Sequence, residues 1–114
     1  AALFIAISVA GCASSPPPRA ALDTAELNIE QAREQGAEDY APVELGRAIQ
    51  RMAAADGAMA ARDYAAADRY AQLAMLEAQL ADYRSRAAKG REKVRRQTDE
   101  NARLRKELLG EGAR

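Results

Sequence analysis

An all-α fold is what this sequence predicts, on three observations. Hydrophobic residues make up 48% of the chain, yet it holds one Phe, four Tyr and no Trp, so alanine carries most of that fraction, and alanine is the strongest helix former. No run alternates Val, Ile or Thr with polar residues at the period of two that a strand requires. Apolar residues recur instead at three-and-four spacing, with Gly and Pro between the runs. The expected architecture is a small three-helix antiparallel bundle, a helical hairpin plus a long third helix, with a coiled-coil-like C-terminal extension. With so few large side chains, burial per residue is modest and a large rigid core is not expected.

The chain opens on Ala1 to Ala10, which are uncharged and mostly apolar, too short for the roughly 20 residues of a spanning helix. Residues 1–11 read as a partial signal peptide; its basic start and initiator Met are expected to lie before Ala1. Val9-Ala10-Gly11 directly before Cys12 fits a lipobox, in which small side chains let a membrane peptidase close on the backbone. Cys12 is the expected lipidation site and the first residue of the mature chain, and no second cysteine offers it a disulfide. Two or three acyl chains, at about 0.8 kcal/mol per buried CH₂, hold far more firmly than one myristoyl group. Ala13 after the cysteine, rather than Asp, points to the outer membrane, periplasmic face. Residues 12–19 then form a spacer, since Pro16, Pro17 and Pro18 favour semi-rigid polyproline II.

The alanine-rich helical domain is expected over residues 20–83. Its first helix runs from about Ala20 to Gln35, with Leu22, Ala25, Ile29 and Ala32 on one face, and Gly36 ends it. Pro42 suits the first turn of the second helix, because its missing N–H would be unpaired there anyway; Leu45, Ala48, Ile49, Met52, Ala55 and Met59 continue it. Arg62-Asp63-Tyr64 makes the next turn, with Asp63 as the N-cap. The third helix runs from Tyr64 to about Leu109, near 70 Å at about 1.5 Å per residue. Two shorter helices cannot cover it, so its distal half must be solvated, paired with another chain or packed on a partner. Asp39-Tyr40-Ala41 and Asp63-Tyr64-Ala65 echo one another like tetratricopeptide turns, but one echo is below the roughly three repeats a solenoid needs. The tyrosines read as packing residues with a wet hydroxyl.

Residues 84–114 are expected to form a basic, coiled-coil-like helix. With Leu73 at heptad position a, the a positions hold Leu73, Leu80, Ala87, Val94, Asn101 and Leu108, and the d positions hold Leu76, Tyr83, Gly90, Gln97 and Leu104. The helix-pairing candidates are therefore Leu73, Leu76, Leu80, Tyr83, Val94, Asn101, Leu104 and Leu108. Asn101 can fix register and strand number, and Glu100 and Arg105 occupy g and e positions that pair between parallel chains. The alternative is an amphipathic helix that folds back on its own bundle.

Charge is balanced at 17 basic and 17 acidic residues, but unevenly placed. Arg84, Arg86, Lys89, Arg91, Lys93, Arg95 and Arg96 are opposed only by Glu92. They are candidates for binding an anionic partner, or a solvated basic collar, because on a helix they flank the seam on both sides. Nucleic acid is not an expected partner, since no aromatics interleave the basic residues for base stacking. Nor is catalysis expected: there is no His, lipidation claims the only Cys, and no phosphate loop, nucleophile elbow or metal-ligand spacing occurs. No cofactor is expected.

The lipobox with Ser15-Pro16-Pro17-Pro18, the turn Gly36 to Tyr40 leading into Ala41-Pro42-Val43-Glu44-Leu45 with Ala48, and Arg62-Asp63-Tyr64-Ala65 with Ala71 and Ala74 together resemble the bacterial lipoproteins of the domain of unknown function 4398 family, over about residues 10 to 85. The resemblance implies no established activity. Some relatives continue into an OmpA-like peptidoglycan-binding domain; no such domain follows in the residues given, so cell-wall binding by that route is not expected of them. Two functions stay open. One is a lipid-anchored periplasmic structural or adaptor protein that projects a helical rod from the outer membrane to scaffold an envelope complex, through a protein partner or a homo-oligomer. The other is a binding module whose basic helix contacts peptidoglycan, lipopolysaccharide phosphate or an acidic protein.

Overall fold

A computed structural model of the chain describes residues 15–112. The signal segment, Cys12 and Ala13 lie outside the described residues. Four helices follow one another: α1 (Arg19–Glu34), α2 (Ala37–Tyr40), α3 (Pro42–Ala60) and α4 (Tyr64–Gly112). There is no strand among the described residues, and the all-α class stands. The one addition to the expected helices is α2, a single turn where the sequence suggested only a turn between Gly36 and Tyr40.

Local chemistry sets each boundary. Gly36, at φ +82°, takes the left-handed conformation that ends α1, and Tyr40 and Lys89 carbons lie within 3.6 Å of where a β-carbon would sit. Pro42 opens α3 as expected. At its far end the N–H of Asp63 reaches the Ala58 carbonyl at 2.9 Å and that of Arg62 the Met59 carbonyl at 3.0 Å, a Schellman closure with Arg62 at φ 57° where glycine is usual. Asp63 then caps α4 as its sequence position suggested, with Oδ1 accepting the Ala66 N–H at 3.0 Å.

The helices pack through alanine. Ala25, Ala55, Ala71 and Ala74 form one buried cluster, while Ile29, Ala32, Ala37, Ala41, Leu45, Ala48, Ala78 and Ala81 form the other. Early α1 meets early α4 and late α3, so α1 runs parallel to α4 and α3 antiparallel to both. Ser85 is the largest side chain that is fully buried, and its hydroxyl donates to the Ala81 carbonyl of its own helix at 2.7 Å. Small contacts let helix axes approach closely, at the expense of the area each side chain withdraws from water.

Of the residues expected on the second helix's apolar face, Ile49 stands apart. It remains 41% exposed and lines a groove of about 570 Å³ between α1 and α3 with Leu27, Met52 and Asp23. Both helices lean on α4 rather than on each other. α4, at 49 residues, is about 73 Å long at about 1.5 Å per residue and runs on alone past the bundle.

Candidate functional site

The long helix is the feature on which the functional candidates converge, and it is apolar on two opposite sides. One side is built of small residues: Ala67, Ala71, Ala74, Ala78, Ala81 and Ser85 are buried against α1 and α3. The other carries Leu73, Leu76, Leu80 and Tyr83, which are 41%, 56%, 39% and 70% exposed. At 100° per residue the two sets are separated by about half a turn of the helix. In heptad terms Ala78 and Ser85 are f positions, so the bundle holds the back of the helix and leaves the a and d seam facing outward.

The seam continues beyond the bundle. Val94, Leu104 and Leu108 are 62%, 42% and 71% exposed, and Asn101 is exposed beside them. All the helix-pairing candidates therefore share one outward stripe on one rigid element, and none of them is a core residue. The alternative of folding back on the bundle is not realised; α4 is unbroken from Tyr64 to Gly112.

The bundle ends in a polar clasp. The Tyr40 hydroxyl donates to Glu92 Oε2 at 2.9 Å, and Glu92 Oε1 receives Arg96 at 2.9 Å. The Glu92 hydrogen bond, and then its charge, raise the Tyr40 phenol above its ordinary pKa of 10.0, with Arg96 opposing. About two turns of helix nearer the core, Arg84 is hydrogen-bonded to Glu44, a carboxylate that is buried in the first turn of α3. Contacts with the bundle thus extend along α4 as far as Glu92. Glu77 is partly buried, and its buried Oε2 has no hydrogen-bond partner among the described residues.

The seven basic candidates do not act as one patch. Arg84 is committed to Glu44, Arg86 to Asp82 at 3.0 Å and Arg96 to Glu92; Lys89 lies beside Gly36. Arg91, Lys93 and Arg95 are exposed and enter no ion pair among the described residues. Arg91 and Arg95 share one side of the helix and Lys93 the other. Sequence reasoning missed the Tyr40 and Glu44 contacts, which join residues 52 and 40 positions apart; for Glu44 the local signal was Arg84, about one helical turn beyond Ala81, the last alanine of the buried face.

The domain of unknown function DUF4398 matches residues 20–97, well over half of the chain. The chain belongs to that family. The match begins one residue inside α1 and ends just past the Tyr40–Glu92–Arg96 clasp, so the family domain coincides with the bundle and its closing contacts. No curated protein and no solved structure matches the chain. Among the described residues no helix is long and apolar enough to cross a membrane, and no group of three potential metal ligands occurs.

Proposed function

We infer that the protein is a lipid-anchored structural or adaptor protein of the outer membrane, facing the periplasm, whose α4 reaches away from its anchor to scaffold an envelope complex. The observation that carries this reading is the polarity of the rod. Ser15 to Pro18 lie against Tyr64, Ala65, Asp68 and Arg69 at the start of α4, so an anchor at Cys12 would hold that end. Leu108 is about 66 Å away along the helix, at about 1.5 Å per residue. An outward apolar stripe at that distance suits it to another protein rather than to a small ligand, because a single convex helix encloses nothing. The basic residues are divided among a bundle contact at Arg84, pairs within α4 at Arg86 and Arg96, and exposed positions at Arg91, Lys93 and Arg95.

Two measurements in intact cells test the reading. Cys12→Ser should abolish labelled fatty-acid incorporation and release the protein from the membrane fraction; retention with no acyl label would remove the anchor. A photo-crosslinking residue at Leu108 should capture protein adducts that the same residue at Asp99, on the opposite side of α4, does not. Equal capture at both sites would remove the adaptor role.

A further inference from the structure

The outward stripe of α4 has a chemistry that selects its occupant. We propose that it pairs with the stripe of a second copy of this chain, antiparallel, so that the free end of each α4 lies along the outward face of the other copy's bundle. The proposal rests on reading α4 as the partner-binding element and names its partner.

Three features of the stripe fit this arrangement. An antiparallel alignment about an axis near Glu92 sets Leu76 against Leu108 of the second copy and Leu80 against Leu104, twice by symmetry, covering side chains that the single chain leaves exposed. The same alignment sets Gly90 against Val94 and Ala87 against Gln97, small against large, in evenly filled layers. A parallel pair would instead stack Gly90 on Gly90 and Ala87 on Ala87, leaving two adjoining layers underfilled where voids forfeit contacts. Tyr83, 70% exposed, meets Asn101, giving its hydroxyl and that amide a mutual partner.

Flanking charges point the same way. Antiparallel pairing opposes Arg86 to Glu100 and Glu77 to Arg105, each twice. Arg91 and Lys93 meet their own counterparts at the axis, on exposed flanks where salt screens them. In the parallel alternative the favourable Glu100–Arg105 couple suggested by the heptads is offset by Arg86 facing Arg91. The bundles offer no obstruction in the antiparallel form, since they occupy the f side of each helix. The two Tyr64 ends would then stand about 85 Å apart, at opposite ends of the assembly.

Cysteine crosslinking of the full chain in intact cells distinguishes the orientations. Leu80 and Leu104 are exposed in the single chain, so Leu80→Cys and Leu104→Cys leave the fold intact, and the parent chain, with Cys12 alone, is the blank. Co-expressing differently tagged Leu80→Cys and Leu104→Cys copies should give a mixed oxidative crosslink, while Leu80→Cys expressed alone should give none, its two thiols being about 36 Å apart. Efficient self-crosslinking of Leu80→Cys would establish parallel pairing and overturn the proposal while preserving α4 as a pairing element. Absence of any crosslink would overturn it too, and maleimide labelling of Leu104→Cys then decides the wider reading: a protected thiol signifies a different partner, and a freely labelled one removes the adaptor role as well.

Discussion

Ala78→Leu should destabilise this protein more than Leu76→Ala, the reverse of the usual rule that losing a leucine harms a core. Ala78 is wholly buried between α4 and the rest of the bundle, whereas Leu76, two residues before it, is 56% exposed. Adding three carbons at Ala78 forces apart helices spaced for alanine, at about 2 kcal/mol for overpacking. Leucine is nearly as good a helix former as alanine, so propensity contributes little to that figure. A shift of about 4–8 °C per kcal/mol in a domain of this size lowers Tm by about 8–16 °C. For Leu76 less than half of a side-chain burial of about 1.5–3 kcal/mol is at stake in the single chain, or about 1 kcal/mol, and alanine's propensity returns part of it. Thermal denaturation followed by circular dichroism at low micromolar concentration gives the ordering. A melting temperature for Ala78→Leu equal to the parent's would refute close packing through alanine.

Arg84→Ala strands the buried Glu44 carboxylate, and, because Arg84 itself is half exposed, the expected loss is about 1–2 kcal/mol by denaturant titration; Arg91→Gln, Lys93→Gln and Arg95→Gln together should change it by less than about 0.5 kcal/mol. Arg62→Gly should stabilise by about 0.5–1 kcal/mol, since it relieves a left-handed arginine at the end of α3; a loss in the same titration would contradict that account. The raised phenol of Tyr40 means that the folded chain holds this proton more tightly than the unfolded one. Its contribution is therefore complete below pH about 10 and disappears as pH rises through the folded-state value, and Tyr40→Phe should remove that component of the alkaline stability loss.

The helices were legible because their signals are local. Pro42, Gly36 and Asp63 act on the backbone within a turn of where they stand, and all three function as their positions suggest. The seam was legible too, since Leu73 to Leu108 keep their spacing on an unbroken helix. What periodicity could not reveal was that α4 has a second apolar face: at Ala71, Ala74 and Ala78 a buried contact and a neutral solvent-facing alanine look identical in a sequence so rich in that residue. The same ambiguity put Ile49 among the core candidates, although it borders a groove. Glu44 lay hidden because a glutamate early in a helix is ordinarily explained by the helix dipole, and nothing nearby in sequence announces Arg84.

Beyond Glu92 the long helix has no neighbour within its own chain. Every side chain from Lys93 to Gly110 is exposed, and the lateral support there includes one ion pair, Arg103 to Glu107 at 3.7 Å. Most helical stability in proteins comes from tertiary packing, so this segment rests on its own propensity and on its continuity with the bundle-bound part of α4. In the proposed pair, association would add the lateral contacts that the tip lacks, and affinity would depend partly on how much helix exists beforehand. Gly110, with open space around its α-carbon, lowers the tip's helix propensity by about 1 kcal/mol relative to alanine. In the proposed pair it would act as a governor, a tip less prepared to bind giving weaker and more readily exchanged association.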